Sequence, residues 1–431
     1  ERYLVVLCYY FNNNRKIMEN PILALIPSGY KNGKVYSVLP VDGDGDFDFF
    51  RFGDATRVKE NGLIEKIVGS NNPRLNWSGD CPSLLMEGTR TNRQLRSEEF
   101  NNALWLKTRT TVTANEDVSP EGTETADKLE CNSSSSLGMR LRGSATITSG
   151  ATVVLSVFAK RGNATYCNLA LFNDSTADYS SIFFDLGKGA SFTPQTTGSE
   201  ITLIDNSIES FTNGWYRISI TCETSGNTTV RPYIYGTTSN GNLAVTKGDY
   251  NYFWGAQLEE GNYLSSYIKT EGSTVTRALE RKVKAQTDFN KNKGVVFLDV
   301  KPFAVASSDT LGNVINLRGG TYNLIQFSFK TSNLLQFYIN EFPSAPIVNY
   351  DFNHNGGRIK LAVKWDSGSY KLFANGQLLN SYLDTNRLFS SLNIFQFQGN
   401  DDYLNFEGEI YNSQVFGNAL TDAEIITLTT L

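Results

Sequence analysis

Residues 250–277 read YNYFWGAQLEEGNYLSSYIKTEGSTVTR, and the opening of this stretch decides the fold. Tyr250, Tyr252, Trp254, Ala256 and Leu258 alternate with Asn251, Phe253, Gln257 and Glu259. A period of two places the sets on opposite faces of a half-buried strand, whereas a helix would repeat every ~3.6 residues. Glu260 and Gly261 end the strand. The fold class this predicts is all-β.

Composition agrees with that reading. Of 431 residues, 19% are charged and 12% aromatic. Gly, Ser, Thr and Asn punctuate the chain roughly every eight to twelve residues, the spacing of short strands and turns. Further strand candidates are 152–160, 165–172, 180–184, 215–221 and 229–235. A charged stretch, RALERKVKAQTDFNKNKG at 277–294, precedes a second strand-rich block with the phrases VVFLDV, LIQFSFK, LLQFYI, RIKLAVKW, YKLFANGQLL and NIFQFQG. Asn375 and Gly376 mark a tight hairpin in it. Thr421 with Glu424 forms an N-cap pattern and predicts a helix over 421–428.

This length admits about three domains. The predicted organisation is two β-sandwich (jelly-roll) domains in tandem, at 99–276 and 294–431, joined by a linker at 277–293. An irregular N-terminal attachment segment, 18–98, precedes them, because Pro21, Pro27, Pro40, Pro73 and Pro82 interrupt its short apolar pieces. Residues 1–17 are expected to be an unstructured upstream segment. Their apolar run, 3–11, is short of the ~20 residues that cross a bilayer, and it lacks a signal-peptide cleavage site. Membrane insertion is not expected.

The net charge is −5 and Lys and Arg are scattered, which argues against a nucleic-acid partner. Cys8, Cys81, Cys131, Cys167 and Cys222 form no CxxC pair, so the expectation is buried small hydrophobes rather than a zinc site or disulfide framework. Sequons at Asn76, Asn132, Asn163, Asn173 and Asn227 follow by chance from so much Asn, Ser and Thr. The one histidine, His354, sits in the turn sequence NHNGG and leaves little for serine- or metal-type catalysis. Glu407 and Glu409 in FEGEIY allow a glycosidase carboxylate pair, but the fuller acidic signature is absent. The chain is therefore not expected to be an enzyme, and no catalytic residue is assigned. Asp42, Asp44, Asp46 and Asp48 invite calcium, a hard cation held by carboxylate oxygens. The EF-hand spacing fails at Phe47 and Gly53, so a solvated loop is the expectation, with calcium the alternative.

Strand parity supplies the candidate binding site. Cys167, Leu169 and Leu171 point inward, and Tyr166, Asn168 and Phe172 outward. Trp215 and Arg217 oppose Tyr216, Ile218 and Ile220; Arg231, Tyr233 and Tyr235 oppose Val230, Pro232 and Ile234. Gln257 and Glu259 join the outward set. Flat rings stack on sugars and the polar groups bond hydroxyls, so these ten residues together suit a glycan. The same face would serve equally to pack against a neighbouring subunit.

The 250–277 stretch, with SPEGTETADKL at 119–129, SVFAKRG at 156–162 and NGWYRISIT at 213–221, resembles the carbohydrate-binding-like sandwich repeated across tailed-bacteriophage fibre and appendage proteins. MENPILALIPSGYKNGKVYSVLP from Met18 resembles the usual beginning of those proteins, which sets residues 1–17 apart. GDGDFDFFRFGDATRVKENGLIEKIVGSNNPRLNW and CPSLLMEGTRTN resemble fibre-collar phrases, although FFRFGDATRV departs from the more familiar Thr/Ser-rich form. Residues 294–431, through WDSGSYKLFANGQLL and EGEIYNSQVFGNALTDAEIITLTTL, resemble the concanavalin A-like and laminin-G-like lectin sandwich.

The resemblance implies a structural protein at the virion surface, in a tail or head fibre or appendage. It would bind host-surface polysaccharide by multivalent adhesion, as a homotrimer among other virion proteins and without a cofactor. A purely structural capsid or neck decoration is the second reading, and a polysaccharide depolymerase the third.

Overall fold

The computed structural model describes residues 21–31, 33–37, 47–79, 81–226, 228–303, 313–320, 323–330, 333–341, 345–399 and 405–431. The expectation for residues 1–17, and the candidate cation ligands Asp42, Asp44 and Asp46, lie outside these. The architecture is all-β but for one helix among the described residues, built from antiparallel sheets packed as sandwiches. The chain forms two units: one gathers residues up to Asp54, Ile67–Gly88 and Ala278–Leu431, the other Ala55–Lys66 and Thr89–Arg277.

The first unit is built from two antiparallel sheets. One runs in the order Gln377–Leu383, Ser369–Ala374, Ile359–Asp366, Lys293–Pro302, Gly408–Phe416, Ser83–Met86 and Leu75–Asn76, with Leu23–Leu25 also paired to Gly408–Phe416. The other is nine-stranded and centred on Arg281–Gln286, Ile394–Gln396, Asn313–Gly319 and Asn323–Phe329. Val296, Leu298, Leu361 and Val363 of the first meet Ile315, Phe327, Phe337 and Phe395 of the second in one core. The first sheet's other face carries Val295, Phe297, Ala362 and Phe373, which Ile425 and Leu428 of the helix Asp422–Thr429 cover. That helix starts in a capping box: Thr421 Oγ1 accepts from Glu424 N at 3.3 Å, and Glu424 Oε2 accepts from Thr421 N at 2.7 Å.

Two stretches differ from their sequence reading. Residues 18–98, expected as an irregular attachment segment, supply strands to both sheets of this unit, including Leu23–Leu25, Pro27–Lys31, Phe47–Phe50 and Ser83–Met86. Of their prolines, Pro27 stands at a strand start and Pro73 and Pro82 just outside strands, where a missing N–H removes no interior ladder bond. Within the stretch expected as a linker, Arg281–Gln286 is a strand paired on both sides, to Phe47–Phe50 and to Ile394–Gln396. Its charged residues hid the alternation of buried Val283 and Ala285.

A buried ion cluster closes this unit around Glu280. Its Oε1 accepts from Arg51 Nη1 at 3.1 Å and Arg74 Nε at 2.7 Å, and its Oε2 from the Glu87 amide at 2.9 Å. Arg74 Nη1 also pairs with Glu87 Oε2 at 2.7 Å. Of the cysteines, Cys131, Cys167 and Cys222 are free and buried, while Cys81 is disulfide-bonded, contrary to expectation.

The second unit is also a sandwich. A six-stranded sheet runs Thr110–Val118, Glu124–Cys131, Tyr250–Glu260, Thr152–Arg161, Trp215–Thr224 and Ile201–Ser210. The facing sheet has Leu106–Thr108, Met139–Arg142, Thr229–Thr237, Tyr166–Asn173 and Tyr179–Asp185 in sequence across it. Leu155, Val157, Ile218, Ile220, Phe253 and Leu258 pack on Leu169, Leu171, Ile182 and Ile234. The inward parity of Cys167, Leu169, Leu171, Ile218 and Ile220 thus matches the sequence reading, with Tyr216 half-buried at the core's margin.

The alternation of the 250–259 stretch holds only to its middle. The register passes from Phe158↔Trp254 to Ser156↔Gln257, one extra residue on the Tyr250–Glu260 strand. This β-bulge is centred on Gly255, whose φ of 63° is the left-handed region that glycine tolerates. Parity inverts across it. Trp254 therefore lies with Gln257 and Glu259, not with Ala256 and Leu258, which join the intersheet core.

Candidate functional site

The ten sequence-predicted residues divide between two faces of the second unit: one lies under a returning segment, and on the other Tyr233 and Tyr235 are buried with Ala170 beneath Phe172 and Leu243, leaving Tyr166, Phe172 and Arg231 half-buried. Trp215, Arg217, Gln257 and Glu259 point away from the intersheet core on the six-stranded sheet, but that side is covered. Ile64, on the Ala55–Val58/Ile64–Ile67 hairpin, and Tyr267 pack there with Ala126, Phe158, Trp215 and Trp254. Trp215 Nε1 donates to Val118 O at 2.9 Å.

The polar members of the set hold the returning chain. Arg217 Nη1 donates to Ser265 O at 2.8 Å, and its guanidinium lies 5.2 Å from the Phe158 ring centroid. Glu259 accepts from Ser265 N at 2.9 Å and Ser265 Oγ at 2.5 Å. Gln257 Oε1 accepts from Ile268 N at 2.7 Å. All four residues are buried and committed. Parity identifies a face; it does not say whether the chain later returns over it.

Tyr166, Asn168, Phe172, Arg231, Tyr233 and Tyr235 do share the outward face of the other sheet. Asn168 stands opposite Tyr235, Ala170 opposite Tyr233 and Phe172 opposite Arg231. On the other flank Asn168 faces Phe183, Ala170 faces Ser181 and Phe172 faces Tyr179. The rings are ordered: Tyr233 and Tyr235 stack at 5.7 Å with 13° between planes, and Phe172 and Tyr179 stack at 4.5 Å with 18°. Because Phe172 also touches Tyr233 at 4.6 Å, the four rings form one continuous surface. Small Ala170 leaves its low point.

The polar groups on this face differ from those under the return segment. The side chain of Asn168 is buried yet makes no hydrogen bond among the described residues. Arg231 is ion-paired with Asp174. Arg140 lies 5.3 Å from the centroid of the Tyr233 ring. Burial raises the pKa of the Tyr235 hydroxyl, against the opposing charge of Arg140. Sequence reasoning missed Tyr179, Ser181, Arg140 and Arg142. The signal lay in MRLR at 139–142, whose buried Met139 and Leu141 alternate with the two arginines.

The remaining candidates are structurally occupied. Glu409 accepts from Asn76 Nδ2 at 3.1 Å, Ser78 Oγ at 2.9 Å, Ser83 Oγ at 3.1 Å and Tyr411 OH at 2.7 Å. Glu407 precedes the Gly408–Phe416 strand and lies against Gly88. His354 Nδ1 accepts from Gly356 N at 3.1 Å in its turn, and burial lowers its pKa. Asp48 pairs with Lys34 at 2.5 Å. Among the described residues no group of three or more His, Cys, Asp or Glu is placed to hold a metal ion.

No family model matches the chain, and no curated protein does. Among solved structures it is similar to the CBM40 of Ruminococcus gnavus IT-sialidase bound to alpha2,6 sialyllactose, at 17% identity and TM-score 0.26, covering 33% of this chain and 92% of that one. Domain 4 of AbnA, a GH43 extracellular arabinanase from Geobacillus stearothermophilus in complex with arabinotriose, gives 18% identity and TM-score 0.28, over 40% and 83%. Mouse laminin alpha1 domains LG4-5 give 10% identity and TM-score 0.22, over 67% and 90%. At TM-scores this low, none of these likenesses bears on the site.

Proposed function

We propose that the chain is a glycan-binding protein whose site is the outward face of Met139–Arg142, Thr229–Thr237, Tyr166–Asn173 and Tyr179–Asp185. The observation that carries this reading is the stacked pair Tyr233–Tyr235 beside the uncommitted amide of Asn168. Rings of this kind match the apolar faces of pyranose sugars, and a carboxamide can both donate to and accept from hydroxyls. The chain acts by binding rather than catalysis in this proposal, a view supported by the four donors already on Glu409.

The setting proposed is the surface of a tailed-bacteriophage virion, in a fibre or appendage, with the chain as a homotrimer among other virion proteins. Its support is the set of phrases from Met18, 119–129, 156–162, 213–221 and 294–431 that resemble such proteins. Repeating one weak site on an oligomer raises overall avidity by roughly 10²–10⁴ without new contacts. No cofactor enters the proposal.

A purely structural appendage remains the second reading, favoured by the burial of Tyr233 and Tyr235, which neighbours including Phe172 and Leu243 leave 7% and 4% exposed. A glycan array on the purified protein separates the two. Binding to any defined glycan supports adhesion, and a blank array supports decoration. Labelling particles with antibody to the chain tests the virion setting.

A further inference from the structure

The face proposed to bind glycan also carries two arginines without carboxylate partners. Arg140 and Arg142 lie two positions apart on Met139–Arg142, and the buried Met139 and Leu141 between and before them set both arginines outward. Cross-strand register puts Arg140 opposite Tyr235 and Arg142 opposite Tyr233. Neither arginine has a carboxylate within ion-pair distance among the described residues.

Other arginines of this unit have found partners. Arg57 pairs with Glu65 at 2.8 Å, Arg93 with Glu260 at 3.0 Å and Arg96 with Glu99 at 3.0 Å, and Arg231 pairs with Asp174. Arg217 and Arg277 donate to Ser265 and its neighbours. The acidic groups on the same sheet are committed elsewhere: Asp174 to Arg231, and Asp185 Oδ1 to the amides of Gly187 and Lys188 at 2.8 and 3.1 Å. Arg140 is hydrogen-bonded to the Tyr235 hydroxyl, and its Nε, like those of Arg93 and Arg96, has no bond, so what sets Arg140 and Arg142 apart is the missing carboxylate. A guanidinium is a planar fork of donors that fits a carboxylate in two parallel bonds.

We propose that the ligand is an acidic glycan, and that Arg140 and Arg142 receive the carboxylate of a uronic or nonulosonic acid whose neighbouring ring lies at the edge of the Tyr233–Tyr235 stack. This deepens the glycan-binding reading and rests on it. A phosphate or sulfate ester would meet the same donors, but the flat bidentate fit and the adjoining apolar rings favour a carboxylate fixed directly to the sugar ring.

Affinity electrophoresis tests this, in gels cast with alginate, polygalacturonate, hyaluronan or polysialic acid. Parallel gels contain the carboxyl-reduced form of each polymer, dextran sulfate, or neutral dextran and galactan. The wild-type chain should be retarded by at least one carboxylate polymer, roughly tenfold less by its reduced form, and less as salt rises. Arg140→Gln/Arg142→Gln should lose that retardation, and the single Arg142→Gln, which removes a side chain with no protein bond, should lose part of it. A lysine pair at the same positions should retain more than the glutamine pair.

Equal retardation by acidic and reduced polymers overturns the charge assignment while glycan binding stands. Retardation by dextran sulfate alone overturns the carboxylate, and retardation by neutral polymers alone overturns any acidic ligand. No retardation by any polymer overturns both this inference and the function on which it rests.

Discussion

Asn168 and Tyr235 face each other across two central strands, and the carboxamide of Asn168 has no protein partner although the residue is buried. Its amide atoms keep contact with solvent, so a ligand hydroxyl bound there would replace water. On the proposed function, a sugar hydroxyl is the partner for it at the foot of the Tyr233–Tyr235 stack.

Asn168→Ala should therefore weaken glycan affinity by roughly tenfold, about 1.4 kcal/mol, while leaving the melting temperature nearly unchanged. Titration calorimetry and a thermal melt on the same preparation check both parts. A large loss of stability with unaltered affinity would make Asn168 a scaffold residue.

Arg217→Ala should be destabilising by about 2–4 kcal/mol, because Ser265 O and the Phe158 ring both lose their partner. Strand parity alone places Arg217 outward and is silent on these contacts. Ile218→Ala, a large-to-small change in the intersheet core, should cost about 2–5 kcal/mol. Urea unfolding compares the two; a wild-type midpoint for Arg217→Ala would mean that the 261–277 return is held by other contacts.

Much of this contrast was readable in the chain, and some of it was not. Alternation in 165–172, 215–221 and 229–235 gave the inward faces correctly, since burial of every second residue is what a sandwich strand requires. It failed at Gly255, where one inserted residue inverts the parity of Trp254 relative to Leu258. It was also silent on coverage, which depends on contacts made by residues far away in sequence: Ile64 and Tyr267 over Trp215, or Arg51 and Arg74 on Glu280. Charges in 281–286 read as a linker for the same reason, because the strand's partners lie at 47–50 and 394–396.

Asp127 gives a pH dependence of known sign. It is largely buried, with Oδ2 accepting from Phe100 N at 2.8 Å and Oδ1 from Asn115 N at 3.1 Å, and burial outweighs these bonds to push its pKa from 3.8 up to about 6. The fold thus favours the protonated acid. Its contribution to stability is full below pH 3.8 and is lost as pH rises through about 6. Melting curves of wild type and Asp127→Asn between pH 3.5 and 7 should diverge across this window, with the wild type falling relative to the variant. Parallel curves would mean that Asp127 titrates normally.

Glu280→Gln removes the charge on which Arg51 and Arg74 converge, leaving buried guanidinium groups uncompensated. Breaking a buried pair from one side costs about 3–5 kcal/mol, far more than an exposed ion pair. Denaturant unfolding should show that loss, with glycan affinity preserved in the folded fraction. Stability equal to wild type would show that Glu87 alone neutralises the cluster.

Glycan recognition by the Tyr233–Tyr235 face is tested most directly by calorimetric titration of Tyr233→Ala/Tyr235→Ala with a glycan that binds the wild-type chain. Each stacking ring is worth about 0.5–1.5 kcal/mol beyond its area, so affinity should fall by roughly fivefold to a hundredfold, with the circular dichroism spectrum preserved. Undiminished affinity in the folded double variant, or a wild-type chain that binds no glycan at all, would contradict it.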